Sequence, residues 1–371
     1  MSHDIYLNKP DELFEALEKE LSDPGKTVTV QIAPAVRVAI GEEFGYPPGE
    51  DLTKKTVGLL QQLGFDQVVD TPLGADINIY EEAYEILHAL ERNDEDYFPV
   101  LNSCCIGWRL YCSRTHENMC RHISPIASPH MITGSVSKAF LSKKLNKPMK
   151  DIVSVSIMPC TLKKYETLEQ LPDGIRYVDY VLTTRELAEF AKKKGLDLRT
   201  APEGKFSRFL PDSSKDGVIF GVTGGLVEAL LTTLAHILEV EKEDETFFRN
   251  DKTIKERKVR LGDYDLSVIT VYGAANFEKV FEQIKEGRKF HFIEMMNCPY
   301  GCVGGPGQPL PVDNRKLEAR AAGLRRAADK KRELATVPQE NPTLQVLYKD
   351  LLGRPGSKEA RDLLYFHKVK L

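Results

Sequence analysis

The chain of 371 residues has a single tryptophan, Trp108, and no cysteine before Cys104. It also lacks any apolar run approaching the roughly 18 residues that a membrane-spanning helix needs. Its first residues, MSHDIYLNKPDELFEAL, are acidic and hold no apolar signal core. These absences predict a soluble, cytoplasmic protein with no export signal of its own and no direct membrane insertion. Charge of one sign is missing as well, since 51 Lys and Arg stand against 55 Asp and Glu for a formal net charge of −4. Nothing pulls the whole molecule toward nucleic acid or anionic lipid, so a charge-steered partner has to be met by a local patch. There is no low-complexity tract and no repeat at solenoid periods.

What is present is alternation. Short β-branched or apolar runs, TVTVQI (27–32), FDQVVD (65–70), YFPVL (97–101), IVSVSI (152–157), YVDYVLT (177–183), SVITVYG (267–273) and FHFIEMM (290–296), are separated by helical patterns. That predicts an α/β fold with mainly parallel sheets. Unusual residues follow the runs: Ala33-Pro34, Cys104-Cys105, Pro159-Cys160 and Asn297-Cys298. Ligands of parallel sheets bind beyond the carboxyl ends of the strands, so four strand ends are expected to enclose one site between two α/β lobes. After Pro309 the texture changes to a basic helical stretch over 313–334, a break containing Pro and Asn, and a last helical pair. The expected organisation is a helical leader over 1–26, a two-lobed domain over 27–312, and a helical carboxy-terminal wrap over 313–371 packed on the lobes.

Seven cysteines, Cys104, Cys105, Cys112, Cys120, Cys160, Cys298 and Cys302, are too scattered for a disulfide framework. Cys105, Cys160, Cys298 and Cys302 offer four thiolates from three strand ends, the number that a 4Fe-4S cluster or a structural zinc takes. Spacing alone leaves iron-sulfur, zinc and plain buried thiols open. Cys112 and Cys120 match no ligand pattern and read as structural. Gly221, Gly224 and Gly225 lack the Gly-Lys-Ser/Thr of a phosphate loop and read as close packing.

The segments NSCCIGW (102–108), MPCTLKKYE (158–166) and EMMNCPYGCVGGPGQP (294–309) resemble, in order and context, the three signature motifs of the iron-only (FeFe) hydrogenases. Supporting similarity runs through QIAPAVRVAIGEEFG (31–45), IYEEAYE (79–85), FGVTGGLVEALL (220–231) and LYKDLLGRPGSKEARDLL (347–364). The resemblance implies an H-cluster: a 4Fe-4S cubane joined through one cysteine to a two-iron azadithiolate subsite with CO and cyanide ligands. Carried over residue by residue, Cys105, Cys160, Cys298 and Cys302 hold the cubane, with Cys302 as the bridge. Cys104 is left free as the terminal proton donor to the azadithiolate amine. Lys163 would donate to one iron-bound cyanide, and Ala33, Pro34 and Ala35 would line the other. Met158 and Met296 would pack around the diatomic ligands, and His130 would stand near the distal iron. A proton relay would run Cys104, Glu82, Ser124, Glu85; Glu82 and Glu85, three apart, share a helix face. The implied activity is reversible reduction of protons to hydrogen. A ferredoxin-like or other small electron carrier would supply electrons, and maturation proteins would deliver the two-iron subsite.

The chain departs from the family pattern in places. Asn102 and Ile106 stand where Thr and Pro are usual, Pro306 interrupts the glycine run, and His130 replaces a frequent Gln. Ala89 stands where an arginine often marks the outer mouth of the relay. Without the ferredoxin-like domains of many relatives, electrons are expected to enter the cubane directly or through a partner. The basic stretch, with Arg315, Lys316, Arg320, Arg325, Arg326, Lys330, Lys331 and Arg332, would steer an acidic ferredoxin or else form a solvated helix face. Two competing readings are a slow hydrogen sensor and a hydrogenase-like iron-sulfur assembly protein. No PAS-like module supports the first, and Cys104, Lys163, Glu82 and Glu85 together speak against the second.

Overall fold

A computed structural model describes residues 9–210, 213–248, 253–331 and 335–367. Its strands in chain order are β1 (Thr27–Ile32), β2 (Gln67–Asp70), β3 (Val100–Leu101), β4 (Ile152–Met158), β5 (Tyr180–Thr183), β6 (Lys242–Phe248), β7 (Ile254–Leu261), β8 (Tyr264–Tyr272) and β9 (Phe292–Met296). They form two sheets, one ordered β2-β1-β4-β5 and the other β3-β9-β8-β7-β6.

The first sheet is parallel throughout. In β1 every residue is buried although Thr and Gln alternate with Val and Ile, because helices cover both faces of a parallel sheet. The polar positions find partners inside: Gln31 Nε2 donates to the His130 carbonyl at 2.7 Å, and Gln31 Oε1 accepts from Thr71 at 2.9 Å. Pairing of Ile32 with Ile157 brings the ends of β1 and β4 side by side, and Ala33 N donates to Ile157 O at 3.0 Å.

Pairing is mainly parallel, as expected, and the second sheet adds an antiparallel edge. β3, β9 and β8 pair in parallel, whereas β8–β7 and β7–β6 are antiparallel. The sequence reading passed over β6 and β7 because IKERKVRL carries charge at five of eight positions. Some of those charges are paired inside. Arg257 is buried and binds Glu228 Oε2 at 2.8 Å and Asp244. A buried charge is tolerated when it is paired in this way.

The carboxy-terminal segments join the core. Leu344, Leu347, Leu352, Leu364, Tyr365 and Phe366 pack into the lobe of the first sheet. The helix Asn314–Asp329 inserts Leu317, Ala321, Leu324 and Ala328; the last three pack against Val218, Val222 and Val303. That helix also corrects the reading of the basic stretch as one solvated face. Arg320 is fully buried, holding Glu42 with two bonds at 2.6 and 2.8 Å and the carbonyls of Val303 and Pro309. Arg332 lies outside the described residues. No helix among the described residues is long and apolar enough to cross a membrane.

Candidate active site

Four strand ends deliver their residues to one cavity. After β1, Ala33 leads into Pro34, which opens a short helix whose φ proline already satisfies. Gln308 Nε2 pins that segment by donating to the Ala35 carbonyl at 2.9 Å. After β3 come Cys104 and Cys105, the latter capping the helix Ile106–Thr115. After β4, Cys160 caps the 3-10 segment Thr161–Leu168, and the N–H groups of Leu162 and Lys163 face its sulfur. After β9, the chain passes Cys298 and turns at Gly301, whose φ is 82°. A side chain there would sit 2.7 Å from Thr223 N, so glycine alone lets Cys302 reach the same place.

The cavity is lined by Ala33, Pro34, Ala35, Cys104, Cys105, His130, Met158, Cys160, Lys163, Met296, Cys298 and Cys302, among others. The structure thus brings together twelve of the fifteen site residues named from the sequence. Glu82, Ser124 and Glu85 stand apart from its wall. Its volume is about 100 Å³, several times the ~10–15 Å³ that one water requires.

All seven cysteines are free thiols. Enclosure by protein, and then the neighbouring Cys105, push the thiol of Cys160 up to about 11 and that of Cys298 up to about 12. Cys302 is raised well above its ordinary value by burial and by Cys105, Cys104, Cys298 and Cys160. Thiols raised in this way give up their protons only beside a cation, which is the condition a thiolate-ligated metal group meets. Among the described residues, no three His, Cys, Asp or Glu side chains converge on a place for a single metal ion. The four thiols line one cavity of multi-atom size, a donor set that a 4Fe-4S cluster could use.

The cavity wall also carries a cation, Lys163. Lys163 Nζ donates to Glu166 Oε2 at 2.7 Å and to the Cys104 carbonyl at 2.8 Å. The same carboxylate oxygen accepts from Ser128 at 2.7 Å and meets His130 Nε2 at 2.5 Å, while Glu166 Oε1 accepts from Arg109 at 3.2 Å. Burial alone would raise the Glu166 carboxyl, but Lys163, His130 and Arg109 outweigh it and hold it well below the usual range. An ionised carboxylate only accepts, so the His130 proton sits on Nε2 and Nδ1 accepts from Ser156 at 3.2 Å. Burial also lowers the pKa of His130, keeping it neutral. Of this network only Lys163 and His130 reach the cavity, so the charge it presents there is the Lys163 ammonium, which suits an anionic group.

Cys104 is buried, and burial followed by the presence of Cys105 pushes its thiol up to about 12, so it holds its proton at neutral pH. Glu82 is also buried, with one oxygen lacking any hydrogen-bond partner. Burial raises Glu82 to about 8, against a lowering hydrogen bond from Ser124. Ser124 also lines a surface pocket with Asp96, Tyr97, Arg121 and His122. Glu85 accepts from Tyr365 at 3.0 Å and pairs with Arg361. The position of Ala89 is buried in the core, and the cation beside Glu85 comes from the last helix instead.

Sequence reasoning missed Glu166, Arg109, Gln308 and Arg361. Glu166 was legible in MPCTLKKYE, because its spacing of three from Lys163 puts the pair on one face of a helical turn. Arg361 reaches Glu85 across 276 positions, and no local pattern announces it. Trp108 is core, as expected, and its Nε1 donates to the Asn102 carbonyl at 2.7 Å. Cys112 and Cys120 share a hydrophobic cluster with their sulfurs 3.9 Å apart. Gly225 is close packing as read, since a side chain there would meet Ile219 O at 2.0 Å.

Comparison with known proteins places this geometry. Residues 26–306 match the family described as iron only hydrogenase large subunit, C-terminal domain, and residues 314–367 match iron hydrogenase small subunit. The chain is 37% identical over 367 residues to the NADP-reducing hydrogenase subunit HndD of Solidesulfovibrio fructosivorans, covering 96% of this chain and 62% of that one. It therefore spans less than two thirds of that relative. It is 39% identical over 300 residues to the periplasmic Fe hydrogenase large subunit of Nitratidesulfovibrio vulgaris, covering 79% of this chain and 71% of that one. A more distant relative, the cytosolic Fe-S cluster assembly factor narfl of Danio rerio, is 27% identical over 97% of this chain and 92% of its own. A solved structure of the FeFe-hydrogenase HydA1 from Chlamydomonas reinhardtii superposes with a TM-score of 0.84 at 32% identity, covering 100% of this chain and 99% of that one. The convergent cysteines, the two-lobed α/β fold and these matches agree: the chain belongs to the iron-only hydrogenase family.

Proposed function

We propose that the protein reduces protons reversibly to molecular hydrogen at an H-cluster. The observation that carries this reading is the convergence of Cys105, Cys160, Cys298 and Cys302 with Cys104 and Lys163 on one enclosed, cation-backed cavity. The four first-named cysteines would hold a 4Fe-4S cubane, with Cys302 bridging to a two-iron azadithiolate subsite bearing CO and cyanide. When bound, that group supplies the electron-accepting and hydrogen-forming chemistry.

The protein's own part is enclosure, orientation and proton supply. Lys163 has two donors engaged by Cys104 O and Glu166, which leaves one of its three for a cyanide. Ala33, Pro34 and Ala35 present small side chains and backbone on another side, and Met158, Met296 and His130 complete the enclosure. Cys104, still protonated at neutral pH, is the terminal proton holder. Glu82, Ser124 and Glu85 would refill it from solvent; a carboxyl raised to about 8 takes up and releases protons near neutrality. Electrons would come from a ferredoxin-like or other small carrier, and maturation proteins would insert the two-iron subsite in the cytoplasm.

A second reading is favoured by one observation, the similarity to the assembly factor narfl over nearly the full chain. Hydrogen evolution from a reduced viologen, measured on protein with a verified cubane and an inserted two-iron precursor, separates the two. Sustained turnover supports the hydrogenase reading. No hydrogen from fully loaded protein puts the assembly reading in its place.

A further inference from the structure

Asn102 is buried at the end of β3, where it extends the ladder toward β9. Its Oδ1 accepts the Met295 N–H at 2.6 Å. A backbone N–H can only donate, so the amide oxygen is fixed on Met295 and the amide nitrogen faces the other way. There Nδ2 donates to Cys104 Sγ at 3.0 Å, with a longer contact to Met295 O at 3.4 Å.

A sulfur that faces an amide N–H is an acceptor, and the single thiol proton cannot point along the same line. Two charged groups whose fields reach Cys104, Lys163 and Glu294, give it no acceptor. Lys163 Nζ, which donates to the Cys104 carbonyl at 2.8 Å, is a donor only. Glu294, whose charge also reaches Cys104, turns its two oxygens to Gly224 N at 2.8 Å and Val227 N at 3.0 Å. The cavity that Cys104 lines is open to it.

We infer that Asn102 is a positioning residue: its amide holds the Cys104 sulfur as an acceptor and thereby directs the thiol proton into the cavity. The inference deepens the proposed function and rests on it for its consequence, the aim of the proton, but not for the contact itself. Misaiming a reacting group by about 1 Å costs up to about 100-fold in rate, so an untethered Cys104 would turn over slowly while the metal group stayed in place.

The test reads the S–H stretching band of Cys104 in the infrared, isolated by subtracting the spectrum of Cys104→Ala. Protein carrying the cubane alone is used, so the readout does not depend on turnover. The expected wild-type band is narrow and at high wavenumber, as for a thiol proton with no strong acceptor. In Asn102→Ala the thiol can turn to the freed Met295 carbonyl, and the band shifts to lower wavenumber and broadens. Asn102→Thr, which keeps a polar group and serves if the alanine variant fails to fold, gives an intermediate shift because a hydroxyl both donates and accepts. A wild-type band that is already low and broad, or one unmoved in the variant that folds, overturns the inference. If the band behaves as expected and no loaded variant evolves hydrogen, the orientation stands and the hydrogenase reading fails.

Discussion

Lys163 Nζ donates at once to the Cys104 carbonyl at 2.8 Å and to Glu166 Oε2 at 2.7 Å. One ammonium thus ties the segment after β4 to the segment after β3, across two lobes whose sheets are otherwise separate. The tie is anchored by Glu166, which also binds Arg109, Ser128 and His130. A residue on the cavity wall is therefore only as well placed as a carboxylate that does not line the cavity.

Replacing Glu166 by Gln leaves Lys163 and Arg109 sharing no anion inside the protein. Breaking a buried pair from one side costs roughly 3–5 kcal/mol. Urea unfolding of Glu166→Gln is expected to show a loss of that order with an unchanged slope. A variant as stable as wild type would mean that Glu166 is not the anchor of this wall.

The fold was legible where burial is uniform and illegible where charge is buried. Apolar runs located β1, β2, β4, β5, β8 and β9 because their burial leaves a hydrophobic trace. β7 hid because Arg257 and Glu256, both buried, read as surface until their partners Glu228, Asp244 and Arg288 are seen. The site was legible for the residues that carry the chemistry, since a motif preserves spacing along the chain. Their supports, Arg361 on Glu85 and Gln308 on Ala35, come from far away in sequence and only the fold reveals them.

Glu82 makes stability depend on pH. Burial raises its carboxyl from 4.5 to about 8, so between those values the folded state binds a proton that the unfolded state has lost. Stability from this group is complete below about pH 4.5 and falls as pH rises toward about 8, by at most ~1.4 kcal/mol per unit. Glu82→Gln removes the titration. The stability of the variant relative to wild type is expected to grow between pH 5 and pH 8 in paired denaturation series, and a constant difference would show that Glu82 is ionised throughout.

Cys104→Ala removes the proton holder and none of the four thiols assigned to the cubane. The visible absorption of the cubane is expected to be retained while hydrogen evolution falls by about 10²- to 10⁴-fold, the usual contribution of a positioned proton donor. Full activity in that variant would end the assignment of Cys104.

Two arginines of the basic helix separate structure from steering. Arg320 is buried on Glu42 and on the carbonyls that follow Cys302, whereas Arg325 is exposed. Arg320→Met is expected to cost about 3–5 kcal/mol and to weaken retention of the cubane during gel filtration. Arg325→Glu is expected to change stability by less than about 0.5 kcal/mol and to raise the KM for an acidic ferredoxin at low salt, an effect that fades as ionic strength rises. An unchanged KM at low salt would assign that face to solvation alone.

The central claim is that this cavity holds an H-cluster, and an infrared spectrum in the CO and cyanide stretching region tests it most directly. The sample is anaerobic protein with a verified cubane, treated with a synthetic two-iron azadithiolate precursor and freed of excess. The account predicts a new set of sharp CO and cyanide bands that shift on exposure to hydrogen. Bands of free precursor alone, on protein whose cubane is intact, would contradict it.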